Sequence, residues 1–321
     1  ISKNSIDQVS HLKGKSVFVD DISCSEGTLF ATVYSSSEAH CRINQIDLSS
    51  ARHVEGVVEI LTAADIPGEN QIGAIIKDEP LLAEGNAHYI GQPVALILAK
   101  SKEAGMKARE RIRMDTSALD VIHDPRKAYR RGDLIVPPRI FSIGDINKAW
   151  DQCNCIVSGT IESGGQEHFY LETQSALAVP VENDGIKIYS STQSTTGVQK
   201  TVAKVLGLIE NRVEVDVRRL GGGFGGKEDQ ASHWAALASL GAYITKKSVK
   251  LVLNRNEDIR MTGKRHPYSY DYKMGIDGQG KILAYEAFYY QNAGASADLS
   301  TAILERSLFH GTNSYYIPNV K

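Results

Sequence analysis

The sequence lacks an excess of either charge, a long hydrophobic run and a large number of cysteines. Among its 321 residues, 36 lysines and arginines nearly balance 38 aspartates and glutamates, for a formal net charge of −2. Without a basic excess, nucleic acid is not a predicted partner, and without an acidic excess disorder is not predicted. No apolar run approaches the roughly 18 residues of a membrane helix, so no membrane association is predicted. With 42% hydrophobic residues, the chain is predicted to be globular and long enough for two domains.

The scarcity of cysteine excludes the common thiol-based metal and redox sites. The four cysteines are Cys24, Cys41, Cys153 and Cys155. One residue separates the last two, a spacing that suits neither a C-x-x-C motif, a disulfide nor an iron–sulfur cluster. The histidines are scattered, so no zinc site is predicted, and His266 and His310 are interpreted as packed histidines rather than catalysts. We therefore expect four reduced thiols in a cytoplasmic protein.

Residues 1–125 are predicted to form one α/β unit. Alternating patterns, apolar runs and turn residues predict strands over 15–19, 28–34, 43–46, 56–61 and 93–99. Helical segments are predicted over 49–53, 62–68 and 101–114. Ser101 is expected to be the N-cap of the last of these helices.

The rest of the chain is predicted to contain a connector over 126–155 and a second domain over 156–321. Proline and glycine interrupt the connector, and its basic residues favour a solvated surface or a contact with an acidic partner chain. Further strands are predicted over 155–161, 176–179 (ended by Pro180), 186–191, 213–217, 250–253, 271–276 and 281–289. Helices are predicted over 197–206 and 229–247. The mixture predicts an α+β (mixed α/β) fold.

Residues 221–228, Gly-Gly-Gly-Phe-Gly-Gly-Lys-Glu, are the most informative stretch of the sequence. Glycine contributes no side chain and loses the most backbone entropy on folding, so five glycines in six positions indicate a backbone that approaches another group closely. A predicted strand precedes this glycine loop and a predicted helix follows it. The loop amides are therefore expected near a helix N-terminus, where they suit anionic or oxo groups.

Two other interpretations of the glycine loop remain open at this point. Residues 221–227 fit the G-x-x-x-x-G-K pattern of a phosphate-binding loop. That pattern continues with Ser or Thr, whereas Glu228 carries a charge that would repel phosphates, which disfavours a nucleotide hydrolase. The loop could also be a tight turn without a ligand, although one glycine would suffice for that.

Polar side chains follow several predicted strand ends, where ligands of α/β proteins commonly bind. Glu228 together with Arg306 could bind an uncharged polar ring through hydrogen bonds. Each candidate also has a structural interpretation. Gln193 could cap the end of its strand, and Glu228 could interact with a helix dipole. Arg306 could form an ion pair with Glu305 or with Glu228.

Together these motifs resemble the molybdenum-cofactor subunit of the xanthine dehydrogenase family of molybdenum hydroxylases. The glycine loop resembles the cofactor loop of that family, and residues 164–173, Gly-Gly-Gln-Glu-His-Phe-Tyr-Leu-Glu-Thr, resemble its other signature. Further matches follow the family order at 91–94, 191–193, 265–267 and 305–310. The resemblance covers nearly the whole chain. It implies an α/β hammerhead domain over 1–125 and, over 156–321, the first part of a molybdopterin-binding domain.

The resemblance also implies roles for individual residues. Gln193 would hydrogen-bond an oxygen ligand of molybdenum, and the backbone at Phe224 and Gly225 would face the apical ligand. Glu228 and Arg306 would hold a purine ring and stabilise the charge that develops on it. No side chain of this chain would bind molybdenum directly, because the pterin holds the metal.

The reaction implied is hydroxylation of a ring carbon of hypoxanthine or xanthine, with oxygen from water. Two electrons would pass from molybdenum to iron–sulfur clusters and then to FAD, both expected on partner domains or subunits, in a complex that is expected to be a dimer. Within the family, aldehyde oxidases tend to carry an apolar residue at the position of Glu228, so its carboxylate favours a purine substrate. The alternatives are an aldehyde or other N-heterocycle hydroxylase and, from another class, a non-catalytic scaffold.

Two observations concern the ends of the chain, and the second is a departure from the family. The N-terminus, Ile1-Ser2-Lys3-Asn4, has neither an initiator Met nor a signal-peptide core, so a processed chain or a fragment is expected. The family's sequence continues past the last residues here and carries there the general-base glutamate and most other cofactor contacts. A C-terminal continuation of the molybdenum domain is therefore an expected partner. The chain alone is predicted neither to retain the cofactor nor to oxidise xanthine.

Overall fold

The computed structural model describes residues 7–321, which contain both strands and helices. The strands are β1 Leu29–Ser35, β2 Cys41–Asp47, β3 Val57–Leu61, β4 Asn86–Ala87, β5 Pro93–Ala99, β6 Arg113–Ala118, β7 Cys155–Ser163, β8 Ser175–Val181, β9 Gly185–Ser190, β10 Val213–Asp216, β11 Val249–Val252, β12 Tyr268–Ile276, β13 Ile282–Gln291 and β14 Asn319–Val320. The helices are α1 Gln8–Leu12, α2 Ser49–Arg52, α3 Lys102–Arg111, α4 Pro125–Arg131, α5 Ile146–Trp150, α6 Thr195–Leu206, α7 Gln230–Thr245, α8 Arg255–Met261 and α9 Ser300–Phe309. Short 3₁₀ helices occur at Ala63–Asp65 and Glu210–Arg212. The mixture confirms the predicted α+β fold class.

The described residues form two compact units, each built from two stretches of the chain. The first unit comprises 7–120 together with His168–Gly263, and the second comprises Val121–Glu167 together with Lys264–Lys321. The division of the linear sequence into 1–125, 126–155 and 156–321 stays a prediction.

A seven-stranded sheet in the first unit determines where the glycine loop begins. Its strand order is β10-β9-β8-β11-β1-β5-β3. Strand β5 is buried at every position, as its continuous apolar run predicts. Strands β9 and β10 are parallel neighbours, with Val213 opposite Ile186. Because parallel strands end at the same edge of a sheet, residues 191–193 and the glycine loop leave the sheet side by side.

Helix α7 determines where the glycine loop ends. All its residues from 231 to 242 are buried. Trp234, which is 1% exposed, belongs to the same hydrophobic core as residues of β8, β9 and β11. A helix that is apolar on every side is typical of a protein interior. The loop therefore joins two rigid elements.

The second unit contains a four-stranded sheet of order β14-β13-β12-β7. Strands β12 and β13 form the predicted hairpin. Arg126 on α4 binds the carboxylate of Asp271 on β12, with 2.9 Å between its Nη2 and the carboxylate Oδ1, and its guanidinium lies over the ring of Tyr290. One basic residue of the predicted connector thus has a specific partner on the hairpin.

The predicted connector contains two helices, α4 and α5, which were not predicted. Pro125 is the first residue of α4, after Asp124 as N-cap, and Gly132 is its left-handed C-cap with φ of 77°. Proline and glycine indicated an interruption, but at these positions they begin and end a helix.

Three predicted boundaries were wrong for identifiable reasons. Residues 15–19 form no strand, because the amides of Phe18 and Val19 donate to the carboxylates of Asp21 and Glu172. Helix α3 ends at Arg111, and the extended backbone of the next residue leads into the unpredicted strand β6. Strand β8 continues through Pro180: β11 pairs with β8 only along 175–178, so the missing N–H of Pro180 lies beyond that pairing.

The predicted N-cap of α3 and the predicted free cysteines have direct counterparts in the structure. Ser101 is the N-cap of α3, since its Oγ accepts a hydrogen bond from the Ala104 amide at 3.1 Å. All four cysteines are free thiols. Within 7–321, no helix is long and apolar enough to cross a membrane, and no group of three or more His, Cys, Asp or Glu side chains could hold a metal ion.

Candidate functional site

The glycines of the loop make room for a second loop of the first unit. A Cβ atom at Gly221 would lie 2.4 Å from the Cβ of Glu172, and one at Gly226 would lie 2.7 Å from the ring of His168. Any side chain at these positions would overlap residues 168–172, which belong to the second signature segment. The expected close approach is therefore present, but the group that approaches these two glycines is protein rather than a ligand.

Gln193 lies against the middle of the glycine loop. Its Oε1 accepts hydrogen bonds from the amides of Gly225, at 3.0 Å, and Lys227, at 3.2 Å. Its own amide donates to the Lys227 carbonyl at 2.9 Å. A Cβ at Gly223 would lie 2.4 Å from Oε1, so a side chain there would displace the Gln193 amide from this position. The loop amides expected to bind an anion are thus partly used by Gln193.

The amide nitrogen of Gln193 is the part of this side chain that remains available. Gln193 is exposed, and its Nε2 has no hydrogen-bond partner among residues 7–321. In the glycine loop, Phe224 is 64% exposed, and no atom lies within 4 Å of where a Cβ of Gly225 would be. Both residues have positive φ, 52° and 93°. The outer side of the loop therefore combines a neutral donor with free space.

Lys227 is buried behind the loop, which contradicts the phosphate-loop interpretation. Its Nζ donates to the carbonyl of Glu172 at 2.7 Å and to Oγ of Ser191 at 2.6 Å, and it lies 4.4 Å from the ring centre of Tyr170. Burial lowers the pKa of Lys227 to about 8, against the opposing effect of the Glu172 charge. Bound internally in this way, the ammonium group cannot contact a phosphate outside the loop.

The carboxylate of Glu172 connects Lys227 with three other segments. Its Oε2 accepts hydrogen bonds from Oγ of Ser191, at 2.7 Å, and from the amide of Gly221, at 2.8 Å, and lies 3.7 Å from Nζ of Lys227. Its Oε1 accepts from the amide of Val19 at 3.3 Å. The carboxylate is thus compensated by one charge and three donors, which is what a buried charge requires.

A second buried network of hydrogen bonds holds the signature segment 164–173 through Tyr170. The hydroxyl of Tyr170 donates to Asp258 at 2.8 Å, and the amide of Gln174 donates to the other oxygen of Asp258 at 2.7 Å. The side-chain amide of Gln174 donates to the carbonyl of Gly226 at 2.9 Å, which connects this network to the glycine loop. Burial and the charge of Asp258 raise the pKa of Tyr170 well above its usual value.

The sequence alone did not single out the residues of these two networks. Glu172, Ser191 and Lys227 lie inside the recognised motifs, so their positions were known but their roles were not. Asp258 lies on α8 in no recognised motif, and no sequence signal indicated that it binds Tyr170.

Glu228 ends the glycine loop and is exposed, and within 7–321 it has no hydrogen bond or ion pair. The residue after it, Asp229, is the N-cap of α7, and the first turn of that helix contains no acidic residue. Burial and the charge of Glu228 raise the pKa of Asp229. Glu228 therefore lies before the helix rather than in its first turn, where a dipole interaction would be strongest.

Arg306 belongs to the second unit, whereas Gln193, Phe224, Gly225 and Glu228 belong to the first. It lies on α9 and is exposed. The predicted alternative of an ion pair with Glu305 is wrong, because Glu305 binds Arg139 at 3.0 Å. Neighbouring residues of a helix point in different directions, so this pair was geometrically unfavourable.

The two histidines of the second unit differ in environment. His266 shares a hydrogen bond of 2.8 Å with Oγ of Ser300, and burial lowers its pKa, as expected of a packed histidine. His310 is exposed, so its predicted packing is wrong.

A cavity of about 600 Å³ lies within the second unit, bounded by residues of α4, β13 and α9. Aromatic side chains such as Phe141, Phe288 and Phe309 line it. None of the predicted site residues is among those that line this cavity.

Two family models match the chain in sequence. The molybdopterin cofactor-binding domain matches residues 132–321. The a/b hammerhead domain of aldehyde oxidase and xanthine dehydrogenase matches residues 13–120. The two domains follow one another in the order that the sequence motifs implied.

Known proteins that are similar to this chain in sequence or fold agree with the two family matches. The chain is 38% identical over 308 residues to xanthine dehydrogenase/oxidase of Gallus gallus and 39% identical over 312 residues to xanthine dehydrogenase of Oryza sativa subsp. japonica. In both cases 96% of this chain is covered, but it spans only 23% of the relative. Its fold matches that of the aldehyde oxidoreductase from Desulfovibrio gigas with a TM-score of 0.86 at 23% identity, covering 98% of this chain and 37% of the other. The chain therefore belongs to the xanthine dehydrogenase and aldehyde oxidase family of molybdopterin-dependent oxidoreductases, of which it contains the hammerhead domain and molybdopterin-binding sequence.

Proposed function

We propose that this chain supplies part of the active site of a molybdenum hydroxylase that hydroxylates a ring carbon of a purine such as hypoxanthine or xanthine. The observation that carries the proposal is the outer side of the glycine loop. There the free amide nitrogen of Gln193 lies against the loop that contains the open position of Gly225 and the carboxylate of Glu228.

The residues of this loop fit a molybdenum–pterin cofactor. A side chain at Gly225 would fill the free space beside the loop, and Nε2 of Gln193 is a neutral donor suited to an oxo group. Gln193, Phe224 and Gly225 would contact the cofactor, with no side chain here as a metal ligand. When bound, the cofactor supplies the two-electron oxidation chemistry, and the protein supplies positioning and electrostatics.

Glu228 and Arg306 are the proposed substrate-binding residues. A carboxylate accepts hydrogen bonds from ring N–H groups, and a guanidinium donates to exocyclic oxygens and stabilises negative charge on the ring. Both side chains are exposed in the chain as described. A site built from such groups rejects substrates that leave them unpaired, which favours purines over simple aldehydes.

The reaction also needs components beyond these residues. We propose that the electrons leave through iron–sulfur clusters and FAD on partner domains or subunits, and that a C-terminal continuation of the molybdenum domain completes the site in a dimeric complex. The curated relatives are about four times as long as the segment matched here, which leaves room for such components.

An aldehyde or other N-heterocycle hydroxylase is the second candidate, since the hammerhead family model that matches this chain includes aldehyde oxidases as well as xanthine dehydrogenases. A non-catalytic scaffold is the third, and it predicts that changes at Gln193 or Glu228 alter no activity. Glu228 separates a purine hydroxylase from an aldehyde hydroxylase, because a carboxylate in an aldehyde site has no ring N–H to bind.

In the complete complex, Glu228→Val is expected to lower kcat/KM for xanthine by about 100-fold, the typical cost of one lost transition-state hydrogen bond. Glu228→Gln, which keeps an acceptor, is expected to lose less. Steady-state rates with xanthine and with an aromatic aldehyde measure both effects, after molybdenum content has been equalised.

The control is Glu26→Val, which removes an exposed carboxylate from a turn of the same unit. It should leave both rates unchanged. If Glu228→Val keeps full xanthine turnover and aldehyde turnover does not rise, the purine assignment is wrong.

A further inference from the structure

We propose that Lys227 is a positioning residue whose buried ammonium group fixes Gln193 in the orientation that leaves the Gln193 amide nitrogen free. The importance of Gln193 rests on the proposed function, but the contacts that hold it involve this chain alone. Nothing in the phosphate-loop pattern or in the family motif assigns this role to the lysine.

Lys227 contacts the segment 191–193 with both its backbone and its side chain. Its amide donates to Oε1 of Gln193 and its carbonyl accepts from the Gln193 amide, at 3.2 and 2.9 Å. Its Nζ binds Oγ of Ser191, two residues earlier, at 2.6 Å. One residue thus holds this strand end at two points, which restricts both its position and its rotation.

The ammonium group also controls the start of the glycine loop through Glu172. Nζ binds the Glu172 carbonyl at 2.7 Å, and the carboxylate of the same residue accepts the Gly221 amide at 2.8 Å. Ser191 donates to that carboxylate at 2.7 Å. The lysine, the glutamate and the serine therefore form one closed hydrogen-bonded cluster between the signature segment, the strand end and the glycine loop.

A purely packing role does not explain a lysine at this position. Its side chain is 0% exposed, and a buried ion pair is often no more stable than apolar side chains of similar volume. Methionine would fill the same space without the cost of burying a charge. What an apolar side chain cannot do is bind Ser191 and Glu172 at fixed distances, and this favours a role in positioning.

Hydrogen–deuterium exchange of the amides at positions 225 and 227 tests the proposal directly, because both amides donate to Oε1 of Gln193. Gln193→Ala removes this acceptor, so its exchange rates at 225 and 227 are the reference for a loop that is not hydrogen-bonded to Gln193. In Lys227→Met we expect these two amides to exchange about tenfold faster than in the wild type, the order of one lost hydrogen bond. Exchange in the core of α7 should change less than exchange in the loop.

The matched control is Lys250→Met. The side chain of Lys250 is 6% exposed and its Nζ binds the carbonyls of Asp20 and Ile22, so this variant also loses a buried lysine of the first unit. Its loop amides should exchange as in the wild type. Equal acceleration in both lysine variants would mean that lost stability explains the effect, and the proposal would be wrong.

A double variant separates positioning from charge compensation. Lys227→Met with Glu172→Gln leaves no unpaired buried charge, so thermal stability should recover relative to Lys227→Met while loop exchange stays fast. Recovery of slow exchange in the double variant would overturn the proposal.

If Lys227→Met does not fold, Ser191→Ala removes one of the hydrogen bonds of Lys227, and unchanged exchange in that variant would overturn the proposal as well. None of these measurements involves molybdenum or a substrate, so the proposed function can fail while this inference stands.

Discussion

Glu172→Ala is expected to lower the free energy of unfolding by about 3–5 kcal/mol, because it leaves the buried ammonium of Lys227 without its counter-ion. The Glu172 side chain is only 10% exposed, and its carboxylate lies 3.7 Å from Nζ. The amides of Val19 and Gly221 lose their acceptor in the same variant, and an unpaired buried donor adds to the cost. Urea-induced unfolding followed by circular dichroism measures the change.

A surface carboxylate in the same unit provides the comparison. Glu214 is 65% exposed and binds Lys187 at 2.6 Å, so Glu214→Ala should cost at most about 1 kcal/mol. The combination Glu172→Ala with Lys227→Met should be less destabilised than Glu172→Ala alone, since the unpaired charge is gone. An effect of Glu172→Ala no larger than that of Glu214→Ala would contradict the description of Glu172 as the compensating charge.

The glycine loop illustrates how far a local pattern predicts structure. Five glycines between a strand and a helix correctly indicated close backbone approach, since a Cβ at Gly221 or Gly226 would overlap its neighbours and one at Gly223 would displace Gln193. The pattern did not indicate what approaches. Glu172 and Gln193, which fill the space, are 49 and 32 residues away from their loop partners, and such contacts depend on which strands become neighbours.

Lys227 shows why a short motif can suggest the wrong chemistry. The G-x-x-x-x-G-K pattern describes spacing along the chain, but it does not state on which side of the loop the lysine lies. Here a carboxylate, a carbonyl and a hydroxyl are buried behind the loop, and they bind the ammonium there. The charge of Glu228 was the one local signal against a phosphate site, and the structure agrees with it.

The boundary errors have a common physical origin. Residues 15–19 have the composition of a strand, but the Val19 amide finds its acceptor in the distant Glu172 carboxylate. Pro180 was predicted to end its strand because proline has no N–H to donate, but β11 does not pair with β8 at that residue. In both cases the local residue types were interpreted correctly. Whether the segment is a strand depends on a residue or strand from elsewhere in the chain.

His233 is expected to make the first unit sensitive to acid. It lies in the first turns of α7, directly after the glycine loop, is 2% exposed, and its Nε2 shares a hydrogen bond of 2.8 Å with the Leu81 carbonyl. Burial lowers the pKa of His233 to about 4, below the usual 6.5 that applies when the chain is unfolded. Between these two values the unfolded chain binds more protons, so stability falls as the pH drops from 6.5 towards 4. Over that range the loss from this one residue should reach about 3 kcal/mol.

Unfolding free energies at several pH values between 8 and 4 measure this effect against His233→Gln, whose side-chain amide can donate to Leu81 without titrating. The variant should resemble the wild type near pH 8 and exceed it in stability near pH 4. His53→Gln, at an exposed position of the same unit, is the control for the loss of a histidine side chain. Parallel pH profiles of the wild type and His233→Gln would mean that His233 gains its proton without unfolding α7. Because α7 begins where the glycine loop ends, that result would also remove the reason to expect acid to disturb the candidate site.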